Sequence, residues 1–455
     1  MGTDGKLNPH TRKVVAVLIC GAILPLLDVS VVNVAVRPLS EGLHSTVGTA
    51  QWIITGYALS STIAIVLTGF ASQKFGETTL WRAALCMFTV ASALCGLAWS
   101  IESLIGFRLL QGFAAGLSMP VMQTLLVMNA GKDQAVRAMT AVGLPAVIAP
   151  VLGPLVGGLL LDTLGWRSIF LINLPIGAIA IFLAFRVLPG AGRVKAEVRL
   201  DVRGFLLITP GLILAVYGLT TAGNSSSIVI PGVSLFAAGV LIVAYIVRSR
   251  YVEQPLLDPA VFAIPTFRSA WLTLILASIV FYGGLFLIPL YYQSVRGFRP
   301  AQVGFLLAFL GVGAMLSRSF ANGLTSRWGT RVTSYIFILC TVIGTVPFAF
   351  SNANAGEWLI VEAVALIVRG AGIGALTMLT MSALYHNMPP DDIVHVSALS
   401  RVATQLGGAL GVAVCALLLP LTGGIGHATF VNLCVITSGL AFTACQLPRG
   451  KVVRE

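Results

Sequence analysis

Asp28, Arg108, Glu362 and Arg369 each interrupt sequence that is otherwise apolar: LPLLDVSVV (24–32), IGFRLLQGF (105–113) and LIVEAVALIVRGAG (359–372). An ionised group inside hydrocarbon is costly, so such positions are the first functional candidates. The chemistry open to them is narrow. A carboxylate beside a guanidinium can form a static buried ion pair, or can exchange that guanidinium for a proton. An arginine can receive an anionic group or brace its own helix. No nucleophile–base set accompanies them, and no cluster has metal-ligand spacing. Cys20, Cys86, Cys95, Cys340, Cys415, Cys434 and Cys445 lie in or beside apolar runs, without a CxxC, and read as small packing residues. No GxxxxGK[ST] phosphate cradle occurs, so ATP is not expected to act directly. Neither an enzyme nor a metal or other cofactor is expected.

The elements that carry these residues follow from hydropathy. Of 455 residues, 57% are hydrophobic and only 10% charged, with a mean hydropathy of +0.94. A water-soluble chain of this length needs far more surface charge. The apolar residues fall in runs of roughly 18 to 25, the length that crosses a bilayer as a helix. Spans are expected near 14–36, 50–71, 80–99, 103–128, 138–160, 168–187, 204–222, 228–247, 269–293, 300–321, 333–351, 357–383, 396–420 and 424–446. The first run lacks a small-residue cleavage signal and reads as a retained span. A net charge of +12 and a pI near 9.7 suggest nucleic acid only if a basic soluble face exists, and none does. The charge follows the positive-inside rule instead. Lys6, Arg12, Lys13, Lys74, Arg82, Lys132, Arg137, Arg186, Arg193, Lys195, Arg199, Arg203, Arg248, Arg250, Arg268, Arg327 and Arg331 fall on one face, with the C-terminal Arg449, Lys451 and Arg454. The other face has Arg37, Arg167, Arg296 and Arg299. Both termini are therefore expected in the cytoplasm.

Depth can be counted along the helices. Asp28 comes 14 residues into the first span, about 21 Å from its start and so roughly 9 Å below the outer edge of the core. Arg108 descends the fourth span from the opposite face and stops about 8 Å in. The two are level and opposite in charge, and are expected to pair. Glu362 falls at a similar depth in the twelfth span, either as a second proton or cation site or as an interfacial residue facing water.

Three signatures occur twice. SQKFG (72–76) matches TSRWG (325–329), QGFAAG (111–116) matches RGAGIG (369–374), and LGPLVGG (152–158) matches LGGALG (406–411). The shift is near 255 residues each time. It makes spans 1–6 equivalent to spans 9–14 and leaves spans 7 and 8 as an insertion. The expected organisation is an N-terminal six-helix bundle (1–190), a cytoplasmic linker with two inserted helices (191–267) and a C-terminal six-helix bundle (268–455). Parallel repeats of this kind place a substrate site between halves near the midplane.

The motifs resemble those of the major facilitator superfamily, in particular its fourteen-helix drug:proton antiporter branch. The resemblance rests on LLDVSVVNVAVRPL (26–39), FRLLQGFAAGLSMP (107–120), GLPAVIAPVLGPLVGG (143–158), WRSIFLINLPIG (166–177) and RVATQLGGALGVAV (401–414). One motif departs: after the second span GFASQKFGET (69–78) has Gln73 where the family pattern has aspartate, and Glu77 and Thr78 replace a basic pair. The resemblance implies an all-α polytopic membrane protein, with two six-helix bundles and two inserted helices. It would be a monomer of the bacterial cytoplasmic membrane that exports a small amphipathic, drug-like compound in exchange for protons. A proton-independent facilitator, a metabolite exporter and a non-transporting receptor are the alternatives.

Asp28, Arg108 and Glu362 are the candidates for proton coupling. Asn33, Tyr57, Gln111, Tyr282, Phe286, Gln293 and Arg369 are candidates for the substrate cavity. Gly112, Gly116, Gly153, Gly157 and Gly158, spaced for close helix approach, and the helix-kinking Pro154 are candidates for packing and conformational change. Tyr282 lies 254 residues after Asp28, and Arg369 takes the repeat position of Gln111.

Overall fold

The computed structural model describes residues 8–188, 190, 199–222, 229–252, 255–350, 358–385, 388–389 and 392–421. The expected span at 424–446 lies outside the described residues. Every regular element among them is helical: α1 (Pro9–Gly42), α2 (Val47–Ala50), α3 (Trp52–Phe75), α4 (Glu77–Gly96), α5 (Ile101–Leu164), α6 (Ser168–Leu171), α7 (Asn173–Val187), α8 (Val202–Ala222), α9 (Val229–Ser249), α10 (Pro265–Ser294), α11 (Pro300–Ile343), α12 (Val346–Phe350), α13 (Trp358–Leu384) and α14 (Ile393–Leu421), with a 3₁₀ turn at Pro259–Ala263. Helices satisfy their own backbone groups, which hydrocarbon cannot do. Eleven of them, within the described residues, are long and apolar enough to cross a membrane.

Apolar surface points outward as well as inward. On α9 Val229, Val233, Phe236, Val240, Val243 and Val247 are exposed, at spacings of three or four that make one stripe. Only 22% of its apolar window is buried, against 67% for Ile101–Ala130. Water would penalise such a stripe; lipid accepts it.

Two helices are longer than one crossing. The helical assignment of α5 runs on through 129–137, where the sequence predicts a loop between spans. Its 64 residues would measure about 96 Å if straight, three times the hydrocarbon core. Contacts show that it turns back: Arg108 meets Asp28 of α1, while Gly153, 45 residues later, packs on Ser30 of the same helix. α11 likewise joins two spans, across Gly329 at φ 81° and ψ 162°.

The repeat is visible in backbone conformation. Among the described residues positive φ occurs at His44, Gly76, Gly165, Gly297 and Gly329. His44 and Gly297 are 253 residues apart, as are Gly76 and Gly329. Gly76 and Gly329 occupy the same place in SQKFG and TSRWG, where the left-handed conformation favours a residue without Cβ.

The chain divides into two compact units. One comprises Met1–Thr209, Tyr251–Asp258 and Pro389–Arg401; the other comprises Pro210–Arg250, Pro259–Met388 and Val402–Glu455.

Candidate functional site

In the first unit, α1, α3, α4, α5 and α7 converge around a single carboxylate. Asp28 of α1 is fully buried. Its Oδ2 accepts from Arg108 Nη1 at 2.5 Å, and its Oδ1 accepts from Gln111 Nε2 at 3.0 Å and Asn173 Nδ2 at 3.1 Å. Ser92 Oγ on α4 accepts from both amides, at 3.1 and 3.0 Å, and donates to the Phe170 carbonyl at 2.9 Å. Arg108 and Gln111 are three apart on α5 and so share a face; Arg108 Nη1 also reaches Gln111 Oε1 at 2.8 Å. Arg108 Nε donates to the Ile53 carbonyl of α3 at 3.2 Å, and its guanidinium lies 4.2 Å from the Tyr57 ring centre.

This arrangement satisfies a charge that could not otherwise remain in a dry interior. It also gives Arg108 two acceptors besides Asp28. When the carboxyl is protonated, the guanidinium can retain Gln111 Oε1 and Ile53 O, so the ion pair can open without orphaning the arginine.

Close helix approach holds the elements in place. A Cβ on Gly112 or Gly116 would overlap the backbone of Tyr57 or Ser61 on α3, and one on Gly153 would strike Ser30 of α1. Gly157 packs on Val31. Gly158 is different: an added Cβ there meets nothing within 4 Å.

Glu362, in the second unit, is fully buried and does not face water. Its Oε1 accepts from Arg296 Nη2 and from the Tyr291 hydroxyl, each at 2.9 Å. Arg369 is also buried; it donates to the Thr345 hydroxyl and to the Val280 carbonyl, the latter at 2.8 Å. Tyr282 and Phe286 are half-buried, with Tyr282 edge-on to Phe281 at 5.1 Å, and Gln293 is exposed. The side chains of Asn33 and Pro154 lie outside the described residues.

Sequence reasoning missed Asn173, Ser92 and Arg296. Asn173 had a signal, being an amide inside an apolar run (LINLPIG, 171–177). Ser92 had none, since a helical serine usually bonds its own backbone. Arg296 was read only as a loop charge.

The model of the family described as Major Facilitator Superfamily matches residues 18–412. A Mycobacterium tuberculosis protein named multidrug resistance protein B homolog is 33% identical over 420 residues, spanning 91% of this chain and 77% of its own. The methylenomycin A resistance protein of Streptomyces coelicolor is 29% identical, over 95% and 90% of the two chains. Among solved structures, the proton:xylose symporter XylE superposes with a TM-score of 0.67 over 96% of both chains, at 14% identity.

Proposed function

The chain belongs to the major facilitator superfamily, and within it we propose that it is a secondary exporter, moving a small amphipathic compound out of the cell in exchange for protons. The observation that carries this reading is the Asp28 junction: a buried carboxylate bonded to an arginine that has other acceptors to fall back on. Protonation from outside would neutralise Asp28 and free Arg108. Return of the proton to the cytoplasm would restore the pair. Each exchange would bias alternating access between the two six-helix bundles of a fourteen-helix chain, with the inserted helices peripheral. Tyr57, Gln111, Tyr282 and Phe286 would contribute to substrate contact, and Glu362 would be a second, competing proton site. The protein would work as a monomer in the bacterial cytoplasmic membrane, with both termini inside. Relatives named for drug and antibiotic resistance support export as the direction.

The test is efflux of a fluorescent amphiphile from energised cells, with and without an uncoupler. Collapse of uphill efflux on adding the uncoupler is expected. Uphill efflux that ignores it would overturn proton coupling, and export equal to that of cells lacking the protein would overturn transport itself.

A further inference from the structure

The two halves of the repeat build the same polar junction but finish it differently. Gly112 and Gly116 of α5 pack on Tyr57 and Ser61 of α3, and Gly370 and Gly374 of α13 pack on Leu310 and Ala314 of α11. The first helix of each pair is shifted by 258 residues and the second by 253. That register puts Arg369 in the place of Gln111. Thr345, 253 residues after Ser92, accepts from Arg369 as Ser92 accepts from Gln111.

The third member of the junction has no counterpart. Gln111 also donates to the Asp28 carboxylate on α1. Arg369 reaches α10 at the Val280 carbonyl and beside Gly284, and residues 280–284 read VFYGG, without an acid. Arg108 pairs with Asp28, and Arg296 with Glu362; among the described residues Arg369 pairs with no acid. It lies eleven residues after Trp358, the first of α13, about 16 Å along a helix that crosses a core of about 30 Å. Lipid headgroups do not reach that depth.

Arginine remains charged in proteins, so burial cannot neutralise it. Two of its five N–H groups bond neutral acceptors, which leaves part of a planar fork suited to a carboxylate. Gly284 supports this arrangement, because any side chain there would overlap the guanidinium.

We propose that Arg369 receives the anionic group of the transported compound, a carboxylate or sulfonate on an amphipathic body. The anion takes the place that Asp28 fills in the first half. The inference rests on the export reading and adds the charge of the substrate.

The test uses the full chain in nanodiscs and three probes with one aromatic body: 1-pyrenebutyrate, 1-pyrenebutanol and a pyrenylbutyl trimethylammonium. Binding is read as ligand-induced thermal stabilisation in chloride-free buffer, with a chloride titration as a separate arm. Wild-type chain should bind the carboxylate at least about tenfold more tightly than the ammonium. Arg369→Gln, which installs the residue of the first half, should lose about tenfold for the carboxylate and leave the alcohol unchanged. Arg369→Lys should recover part of the loss. Equal binding of all three probes, an equal loss of all three in Arg369→Gln, or stabilisation by chloride alone matching that by the carboxylate would each overturn the inference. Failure of the export reading shows elsewhere, as efflux that the uncoupler does not touch, and leaves an anion preference in binding standing.

Discussion

At Asp28 three donors meet one carboxylate, from Arg108, Gln111 and Asn173, and replacing the acid separates charge from shape. Asp28→Asn keeps the size of the side chain but cannot exchange a proton, so it should abolish uphill efflux driven by a pH gradient. Downhill counterflow, which needs binding and rocking but no net proton movement, should survive. Glu362→Gln is the matched control in the second unit: if it loses uphill transport while Asp28→Asn keeps it, the coupling proton belongs to Glu362. If both keep it, a proton-independent facilitator replaces the antiporter. Arg108→Ala should act on stability first. Removing one partner of a buried pair leaves an uncompensated charge and costs about 3–5 kcal/mol, visible as a lower thermal midpoint of the purified chain.

Between helices the controlling quantity is backbone separation. Lipid gives no hydrophobic drive for helices to associate, so close approach at small residues must hold them together. Gly112→Leu would force α5 away from α3 at the turn that carries Arg108 and Gln111, an overpacking cost of about 1–3 kcal/mol or more. It should lower both the thermal midpoint and efflux. Gly158→Ala offers the contrast. With nothing within 4 Å of the new methyl, the exchange should be neutral, or should stabilise α5 by up to about 1 kcal/mol through helix propensity. Thermal melts of the two variants against the parent decide whether close approach, and not glycine content, sets the packing.

For the whole molecule, the repeat and the charge bias make one prediction about orientation. By the count of spans, the turns at His44, Gly165 and Gly297 share one side and those at Gly76 and Gly329 the other. Lys74, Arg327 and Arg331 lie beside the second group and Arg167, Arg296 and Arg299 beside the first; the basic excess comes from the tails and the remaining loops counted on the second side, at Arg12, Lys13, Lys132, Arg137, Arg199, Arg203 and Arg248. Alkaline phosphatase fused after residue 165 or 297 should therefore be active, and fused after residue 76 or 329 inactive. The opposite pattern would reverse the membrane orientation and the direction of proton entry.

Periodicity, charge bias and repeated motifs made the helical membrane class, the internal repeat and the pairing of Asp28 with Arg108 legible before any coordinates. Those properties depend on length, hydropathy and depth along a helix, which are all linear in sequence. The reversal expected between the fourth and fifth spans is present, but 129–137 are helical where an open loop was expected. Ser92 entered the junction only through tertiary structure, since a serine in an apolar helix usually bonds its own backbone, and Asn173, though visible as an amide in an apolar run, gave no sign of its partner. Arg296 could be matched to Glu362 only once α10 and α13 were packed, as residues 66 apart in sequence share no helical face. Sequence registers where a charge lies along its own helix; which neighbours complete its bonding depends on the rotation and separation of several helices at once, and only packing sets those.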